Sequence, residues 1–315
     1  MKDLRIVFMG TPEFATTILK RLVEENYTIA GVITAPDRPA GRGRKLQESD
    51  VKKYASEQGL RVLQPTNLKS EEFLVELKSL EANLQIVVAF RMLPKVVWAM
   101  PDYGTFNLHA SLLPDYRGAA PINWAIINGE TETGVTTFFI DEKIDTGEII
   151  LQERTTIDPE DNAGALHDKL MHLGAALVVK TVKQIAFGDI KTQKQVTSEP
   201  VKEAFKIHKD TCKIDWNQSL EAIHNHIRGL SPYPAAWSNF INGENEMSLK
   251  IYKSTIEKDD HNFEIGHVLH TKKEIKVAVK NGFIKLLELQ LPGKKKMKTQ
   301  DVLNGLEIEN FARML

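Results

Sequence analysis

The N-terminal third of the chain alternates short apolar runs with amphipathic stretches, and no other feature constrains the fold as strongly. An apolar run over residues 6–9 ends at Gly10, and Thr11-Pro12-Glu13 follows it. A capping residue, a first-turn proline and an acidic residue in that order suit the start of a helix. Further strands are predicted over 27–33 and 85–90, and helical patterns separate them. This β-α-β-α alternation predicts an α/β, Rossmann-like domain in which helices cover a parallel sheet.

The pattern changes in the second half of the chain. A helical pattern over 162–187 completes the expected N-terminal catalytic domain, residues 1–190. A polar, lysine-rich segment over 191–209 lacks periodicity and predicts a linker. Residues 210–315 contain one helical pattern, expected over 215–230, and then short strand-like runs separated by Asn-Gly turns. Such runs are typical of a small barrel, so we expect a C-terminal OB-like β-barrel domain.

Charge and cysteine content narrow the class of protein. The 315 residues carry a net charge of −1, which gives no global sign of nucleic-acid binding, although charge can be segregated within a chain. The single cysteine, Cys212, excludes an intrachain disulfide and a metal site built from cysteines. No stretch comes near the roughly 18 apolar residues expected of a membrane helix, and the N-terminus lacks the apolar core of a signal peptide. We therefore expect a cytoplasmic protein without a membrane partner.

A first candidate site lies in residues 105–114, which have the sequence TFNLHASLLP. Side chains two residues apart point to the same face of a strand, so Asn107 and His109 share one face while Phe106 and Leu108 pack on the other. At the end of a strand in an open parallel sheet, such a pair meets the ligand crevice. An amide and an imidazole there could hold a carbonyl oxygen as it develops negative charge. Taken alone, the two residues fit a satisfied polar pair at a sheet edge equally well.

A second candidate is Asp145, in the turn-like sequence Asp145-Thr146-Gly147 between two predicted strands. Aspartate often occupies a turn only because its side chain bonds its own backbone, and for Asp145 alone this interpretation is the stronger one. An aspartate close to His109 would instead stabilise a protonated imidazole or accept a proton during a reaction. The residue types leave both interpretations open.

Two basic regions stand out in a chain that is almost neutral overall. The loop over 35–45 has the sequence APDRPAGRGRK. The second region lies between Ile265 and Gln300, where only Glu274 and Glu288 oppose the lysines. Its lysines are Lys272, Lys273, Lys276, Lys280, Lys285, Lys294, Lys295, Lys296 and Lys298. A solvated surface is the ordinary explanation of a charged run, but arginine pairs well with phosphate. Two such regions in different domains suggest a track for a polyanion longer than one nucleotide.

Taken together, these segments resemble the methionyl-tRNA formyltransferase family over nearly the whole chain. The matching motifs of the first part are FMGTPEFA at 8–15, PDRPAGRG at 36–43, NLHASLLP at 107–114, YRGAAP at 116–121, GVT at 134–136 and DTG at 145–147. Those of the second part are IDW at 214–216, IRGL at 227–230, PYPAAW at 232–237 and PGKKKM at 292–297. Two departures exist: Phe90-Arg91-Met92-Leu93-Pro94 replaces an alanine-tyrosine-glycine type of run, and Asn83 replaces a commonly acidic residue.

The resemblance implies a reaction and a role for each candidate. It implies that a formyl group passes from 10-formyltetrahydrofolate to the α-amino group of methionine on initiator tRNA, so the substrate amine is the nucleophile. Asn107 and His109 would hold the formyl oxygen as an oxyanion. Asp145 would favour a protonated His109, or relay the amine proton to the folate nitrogen.

The resemblance also implies where the two substrates bind. The folate would lie along Ser111, Leu112, Leu113 and Pro114, with Phe90 and Met92 bordering its pocket. The tRNA would contact Arg38, Arg42, Arg44 and Lys45 in the basic loop and Lys294, Lys295 and Lys296 in the C-terminal domain. No metal is required by this chemistry, and a monomer is expected.

Three alternatives share parts of the pattern. Another 10-formyltetrahydrofolate-dependent formyltransferase, acting on a small amine, would share the polar core but would need neither the loop around Arg42 nor the domain from Asp210 onward. A non-catalytic RNA-binding protein on the same scaffold would not need the three polar residues. A dehydrogenase is disfavoured, because Gly10 stands without the further glycines of a dinucleotide-binding fingerprint.

Overall fold

The computed structural model describes residues 2–40, 45–196 and 200–315. In chain order its first elements are β1 (Arg5–Gly10), α1 (Glu13–Glu24), β2 (Thr28–Ile33), β3 (Arg38–Ala40), β4 (Lys45–Gln47), α2 (Asp50–Glu57), β5 (Val62–Leu63), α3 (Glu71–Ser79), β6 (Leu84–Val88), α4 (Lys95–Trp98), β7 (Thr105–His109), β8 (Arg117–Gly118), α5 (Pro121–Ile127), β9 (Glu132–Phe139), β10 (Ile149–Thr156) and α6 (Ala163–Phe187). The remaining elements are β11 (Glu203–Ala204), α7 (Leu220–Gly229), β12 (Ala236–Asn242), β13 (Asn245–Lys258), β14 (Val268–His270), β15 (Ile275–Val279), β16 (Gly282–Gln290), β17 (Met297–Lys298), α8 (Thr299–Leu303) and β18 (Arg313–Met314).

The chain divides into two compact units, each assembled from separate stretches of sequence. The first unit comprises Met1–Gly118, Thr133–Thr156 and His167–Glu203. The second comprises Ala119–Glu132, Ile157–Leu166 and Ala204–Leu315. The limits expected from the sequence, 1–190, 191–209 and 210–315, remain a proposal for the domain boundaries.

A single sheet organises the first unit. Within the described residues its strands follow the order β10-β9-β7-β6-β1-β2-β5. All neighbours from β7 to β5 are parallel, whereas β9 is antiparallel to β7. Parallel neighbours need a crossover connection, and α1, α2, α3 and α4 lie in the successive connections between them. The helix between β7 and β9 is α5, which belongs to the second unit. The predicted α/β fold is confirmed, with an antiparallel strand at one side of its parallel part.

The core of the first unit follows the apolar periodicity of the sequence. Helix α1 buries Phe14, Ala15, Ile18, Leu19 and Leu22, which recur at helical spacing. Every residue of β6 is buried, as expected for a strand that is covered on both faces. Both elements were predicted from the sequence, although β6 ends at Val88, two positions before the end of the predicted strand.

The expectation that no segment could pass for a membrane helix was wrong. By length and composition alone, α6 is long and apolar enough to cross a membrane, but 61% of its apolar window is buried inside the protein. Gly174 explains part of that burial, because a Cβ at this position would lie 2.7 Å from the Leu108 side chain. The helix therefore has the burial of a core helix.

The second unit contains an antiparallel barrel with a helix in its core. Among the described residues, the strand order is β14-β15-β16-β13-β12-β18, with β17 on β16. Each resolved pairing is antiparallel, and buried Ile223 and Ile227 of α7 belong to the same core cluster as Leu249 and Ile284. The expected OB-like barrel class is confirmed.

Helix α7 begins at Leu220, five positions after the start predicted from the sequence. Ser219 is its N-cap and accepts a hydrogen bond from Ala222 N at 3.1 Å. Asp215 instead accepts from Asn217 N at 3.0 Å and from Gln218 Nε2 at 2.8 Å, which satisfies its carboxylate in a local turn. Two residue types that both favour caps and turns stand four positions apart, and the periodicity could not choose between them.

Two short stretches, 119–132 and 157–166, belong to the second unit although both precede the predicted linker. A close approach of α5 to α7 explains the first of them. A Cβ on Gly229 would lie 2.6 Å from Cγ1 of Ile127, and Asn123 Nδ2 donates to Gly229 O at 2.8 Å. Only glycine permits that spacing between the two helices.

The first part of the predicted linker is ordered against the first unit. Gln193 N donates to Ile149 O at 2.9 Å, and Tyr116 N donates to Lys202 O at 2.5 Å. A polar segment without periodicity can be ordered in this way, because backbone hydrogen bonds need no apolar pattern.

Candidate active site

Strand β7 places Asn107 and His109 at its C-terminal end. In the register with β9, Asn107 lies opposite Phe138 and His109 lies opposite Thr136. Phe106 is fully buried on the other face of the strand, as the two-residue alternation predicted. Asn107 is half-buried, while His109 is buried with 8% of its surface exposed.

The imidazole of His109 has one nitrogen committed to the backbone. Its Nε2 lies 2.8 Å from Tyr116 O, and a carbonyl oxygen can only accept, so Nε2 carries a proton and donates. Its Nδ1 faces Oδ2 of Asp145 at 3.9 Å, which is longer than a hydrogen bond. Any proton that His109 gains or loses in chemistry is therefore carried on Nδ1, on the side of Asp145.

Asp145 reaches away from the turn in which it lies. Its Oδ2 accepts a hydrogen bond from Gly118 N at 3.0 Å. Within the turn, the carboxylate that accepts hydrogen bonds is that of Asp141. It accepts from Lys143 N at 3.0 Å and from Thr146 Oγ1 at 2.8 Å. The structure thus brings Asp145 to His109 and gives the turn-forming role to a different aspartate.

The turn after Asp145 fits closely against β9. A Cβ on Gly147 would lie 1.6 Å from Phe139 O, so a side chain at this position would displace backbone. Asp145 itself has a φ of +54°, in the left-handed region that aspartate tolerates better than most residues. The conformation that aims the carboxylate is thereby defined by the packing of the turn.

Gln195 is a residue of this site that the sequence did not reveal. It lies in the segment predicted as a linker, yet its side chain bonds to the backbone of Asp145 and Gly147 and to the side chain of Arg117. No local signal could have found it, because a single glutamine in a polar segment has no distinctive spacing or neighbours.

The segment predicted to follow the folate is held by a buried threonine. Thr136 is fully buried; its Oγ1 donates to Ser111 O at 2.7 Å and accepts from Leu113 N at 3.2 Å. Gln152 Nε2 donates to both Thr136 Oγ1 and Leu113 O, each at 2.9 Å. Leu113 is buried while Leu112 and Pro114 are partly exposed. The backbone of the turn over 111–114 is therefore held by the side chains of Thr136 and Gln152, while the apolar side chains of Leu112 and Pro114 are partly exposed to solvent.

The segment over 90–93 is anchored by its arginine. Arg91 Nη1 donates to Thr66 O at 3.0 Å, and Nη2 donates to Pro65 O. Burial, and to a lesser extent the charge of Arg38, lowers the pKa of Arg91. Phe90 packs against the core cluster of the first unit, whereas Met92 is 68% exposed. Of the two predicted pocket residues, only Met92 presents most of its surface to solvent.

The basic loop is more regular at its base than the sequence predicted. Arg38–Ala40 pairs antiparallel with Lys45–Gln47, so a short β-ribbon stands where an irregular loop was expected. Lys52 Nζ holds this base by ion pairs to Asp37 at 2.5 Å and Glu48 at 2.9 Å. Arg38 is exposed. Arg42, Arg44 and the side chain of Lys45 lie outside the described residues.

The second basic region is partly neutralised. Between Ile265 and Gln300 the only acids are Glu274 and Glu288, but Glu257, outside that range on strand β13, pairs with Lys276 and Lys285, each at 2.5 Å. These contacts lower the pKa of Glu257 and raise that of Lys285.

The lysines of the PGKKKM motif differ in their partners. Lys296 pairs with Glu288 at 2.9 Å and lies 5.5 Å from the centre of the Tyr252 ring. Lys294 and Lys295 are exposed, and within the part of the chain that the structure describes neither forms a salt bridge. Among the three lysines of this motif, these two are thus exposed and without a salt bridge to a described residue.

Metal-ligating residues do not cluster in the described ranges, where no group of three or more His, Cys, Asp or Glu side chains could hold an ion. Cys212 is buried and its Sγ donates to His208 O at 3.3 Å. Burial raises the pKa of the Cys212 thiol, which keeps it protonated and unreactive at neutral pH.

Comparison with known proteins assigns both parts of the chain. Residues 4–182 match the formyl transferase family, and residues 206–307 match the formyl transferase C-terminal domain. A methionyl-tRNA formyltransferase of Flavobacterium johnsoniae is 59% identical over 314 residues and is covered, like this chain, to 100%. One of Bacteroides fragilis is 53% identical over 318 residues, covering 99% of this chain and 98% of the relative.

Solved structures share the fold at low identity. An N-formyltransferase from Helicobacter canadensis, in complex with folinic acid and dTDP-3-aminofucose, is 22% identical with a TM-score of 0.64, covering 93% of this chain and 100% of its own. HypX from Aquifex aeolicus, in complex with tetrahydrofolic acid, is 16% identical with a TM-score of 0.65, covering 98% of this chain and 49% of its own. At these identities the likeness concerns the fold alone.

Proposed function

Because the chain belongs to the methionyl-tRNA formyltransferase family, we propose that it transfers the formyl group of 10-formyltetrahydrofolate to the α-amino group of methionine on initiator tRNA. Relatives of that name match it over its full length, at 59% and 53% identity. One observation carries the mechanism: Nε2 of His109 is bound to Tyr116 O while Nδ1 faces Asp145. The site thus offers one exchangeable proton position next to a carboxylate.

Asn107 and His109 stabilise the oxyanion in this mechanism. A neutral His109 with its proton on Nε2 has only a lone pair at Nδ1, so it cannot donate to the formyl oxygen. A doubly protonated imidazole can donate from Nδ1, and the negative charge of Asp145 at 3.9 Å stabilises that form. With the amide of Asn107, Nδ1–H then binds the oxygen as the tetrahedral intermediate forms.

Asp145 handles the proton of the attacking amine. The amine nitrogen forms a bond to the formyl carbon, and the bond from that carbon to the folate nitrogen then breaks. One proton leaves the amine and one is needed on the folate nitrogen, so Asp145 can accept the first and deliver it to the second, directly or through a water. No side chain of the protein acts as nucleophile, because the substrate supplies it.

The two substrates are placed by different parts of the chain. The fixed turn over 111–114, with Phe90 and Met92, offers apolar contacts to the folate. Initiator tRNA is selected by the loop that contains Arg42, and its affinity comes mainly from phosphate contacts to exposed lysines such as Lys294 and Lys295. Holding two large reactants in register supplies much of the remaining acceleration.

The assay that tests this function is transfer of labelled formyl from 10-formyltetrahydrofolate to methionyl initiator tRNA. Charged elongator tRNA is the matched acceptor control, and a small amino sugar tests the alternative acceptor class. We expect transfer to initiator tRNA alone. Transfer without preference among the acceptors, or no transfer at all, would contradict the proposal, and equal rates for His109→Ala and wild type would favour an RNA-binding role.

We further propose that the enzyme works as a monomer in the cytoplasm and needs no metal. Sedimentation at the concentrations used for assay tests the monomer. Full activity after extensive treatment with EDTA is the expected result for metal-free chemistry, and a loss that zinc or magnesium restores would contradict it.

A further inference from the structure

Gln195 uses every hydrogen-bonding position of its side chain within the first unit. Its Nε2 donates to the backbone oxygens of Asp145 at 2.9 Å and Gly147 at 2.8 Å. Its Oε1 accepts from Nε of Arg117 at 3.1 Å and from Nη2 at 2.6 Å. A glutamine amide has two N–H donors and two lone pairs on its oxygen. The side chain is therefore wholly committed to joining two segments of the chain.

These two segments are the ones that hold Asp145. On one side, Gln195 bonds to the backbone of Asp145, whose φ of +54° is uncommon for a residue other than glycine. On the other side it bonds to Arg117, which immediately precedes Gly118. The N–H of Gly118 donates to Oδ2 of Asp145 at 3.0 Å. One amide thus anchors both the backbone and, through its neighbour, the carboxylate of Asp145.

The place of that carboxylate sets its relation to His109. Oδ2 lies 3.9 Å from Nδ1, and the imidazole cannot follow a displaced carboxylate because its Nε2 is bound to Tyr116 O. A displacement of about 1 Å near the reacting groups can lower a rate about 100-fold. We propose that Gln195 is a positioning residue that holds the Asp145 carboxylate against His109 for catalysis. This inference rests on the function proposed above for that pair.

Three substitutions separate the hydrogen bonds of Gln195 from its bulk. Gln195→Ala removes both, whereas Gln195→Met keeps a side chain of similar length and volume but no amide. Gln195→Glu keeps an acceptor for Arg117 and loses the two donations to Asp145 and Gly147. The matched control is Gln193→Ala, because the side chain of Gln193 is exposed and its backbone alone pairs with Ile149.

Formyl transfer to methionyl-tRNA should distinguish these variants. We expect Gln195→Ala and Gln195→Met each to lower kcat about 100-fold while both KM values stay within about threefold of wild type, because the lost interaction acts in the transition state. The kcat of Gln195→Glu should lie between the kcat of these two variants and that of wild type, and the kcat of Gln193→Ala should equal that of wild type. A packing role would be rescued by methionine, so wild-type kcat in Gln195→Met would overturn the proposal.

A second measurement does not depend on catalysis. Hydrogen exchange of the peptide over 141–148 should be faster in Gln195→Ala and Gln195→Met than in Gln193→Ala, because the anchor of Asp145 and Gly147 is lost. Unchanged exchange there would overturn the proposal. If the wild type transfers no formyl group, the proposed function fails on its own, and the exchange comparison still decides whether Gln195 anchors Asp145.

Discussion

Thr136→Val is the substitution that most directly tests how the turn over 111–114 is held. Valine has nearly the shape of threonine, so the change removes the hydroxyl and leaves no large cavity. The hydroxyl donates to Ser111 O at 2.7 Å and accepts from Leu113 N at 3.2 Å and Gln152 Nε2 at 2.9 Å. Gln152 keeps its bond to Leu113 O, so the two backbone groups are the main losses. Each unsatisfied buried group costs about 1–3 kcal/mol, so we expect the free energy of unfolding to fall by about 3 kcal/mol.

The adjacent Thr137 provides the control. It is also fully buried, and its hydroxyl bonds to that of Thr181 at 2.8 Å. Thr181 retains its hydrogen bond to Leu177 O at 2.9 Å, so Thr137→Val strands no backbone group. We therefore expect it to cost about 1 kcal/mol, with no change in folate binding.

Urea unfolding of both variants measures the stability, and the KM for 10-formyltetrahydrofolate measures the site. A loosened turn has to be ordered again when the folate binds, and an ordering cost of about 1.4 kcal/mol corresponds to a tenfold weaker affinity. Thr136→Val should therefore show roughly a tenfold higher KM for the folate. If Thr136→Val and Thr137→Val behave alike in both measurements, the hydroxyl does not support a folate-binding turn.

Three further outcomes follow from the roles proposed for single residues. Asp145→Asn should lower kcat at least 100-fold, since it removes a proton acceptor, with little change in the folate KM; a kcat near wild type would exclude the proton role. Arg42→Ala should lower the preference for initiator over elongator tRNA, and unchanged selection would show that the loop does not discriminate. The hydrogen bonds of Glu257 with Lys276 and Lys285 lower the pKa of its carboxyl, so its stabilisation is complete above the ordinary pKa of about 4.3 and is lost as the pH falls through the lower folded value. Between about pH 5 and pH 3, the Tm of wild type should therefore fall more than that of Glu257→Gln, and parallel curves would refute the pairing.

The parts of the fold that the sequence predicted are those set by local periodicity. The segment over 85–90 predicted a strand buried on both faces, and every residue of β6 is buried, although the strand includes the polar Gln85 and ends at Val88. The start of α7 was missed because Asp215 and Ser219 both suit the end of a helix, and only the packed structure selects Ser219 as the cap. Local patterns thus define the type of an element better than its boundary.

The contacts that could not be predicted from the sequence join residues that are far apart in the chain. The residues involved are of types that occur in many other roles. Glu257 neutralises Lys285 across a strand pair, so counting the acids between 265 and 300 could not include it. Segment 119–132 joins the second unit because Gly229 lets α5 approach α7, and glycine has many other uses. Each of these contacts depends on strand register or helix approach, which a single sequence does not specify.

In the candidate site, too, the sequence pointed to the residues proposed to react and missed those that hold them in place. The residue types made Asn107, His109 and Asp145 candidates, because few residue types can hold an oxyanion or carry a proton at neutral pH. Their catalytic roles were implied by the family resemblance and not by the residues alone. Gln195 and Thr136 act only through hydrogen bonds to backbone or to other side chains, which many residue types make in many places. In the structure, however, each of these two side chains forms several hydrogen bonds at once. No neighbouring side chain can therefore take over all of those bonds. Substitutions at such supporting residues should therefore lower activity or folate affinity although they remove no reacting group. An apolar residue of similar shape should not preserve the wild-type activity or affinity, because it cannot form the hydrogen bonds.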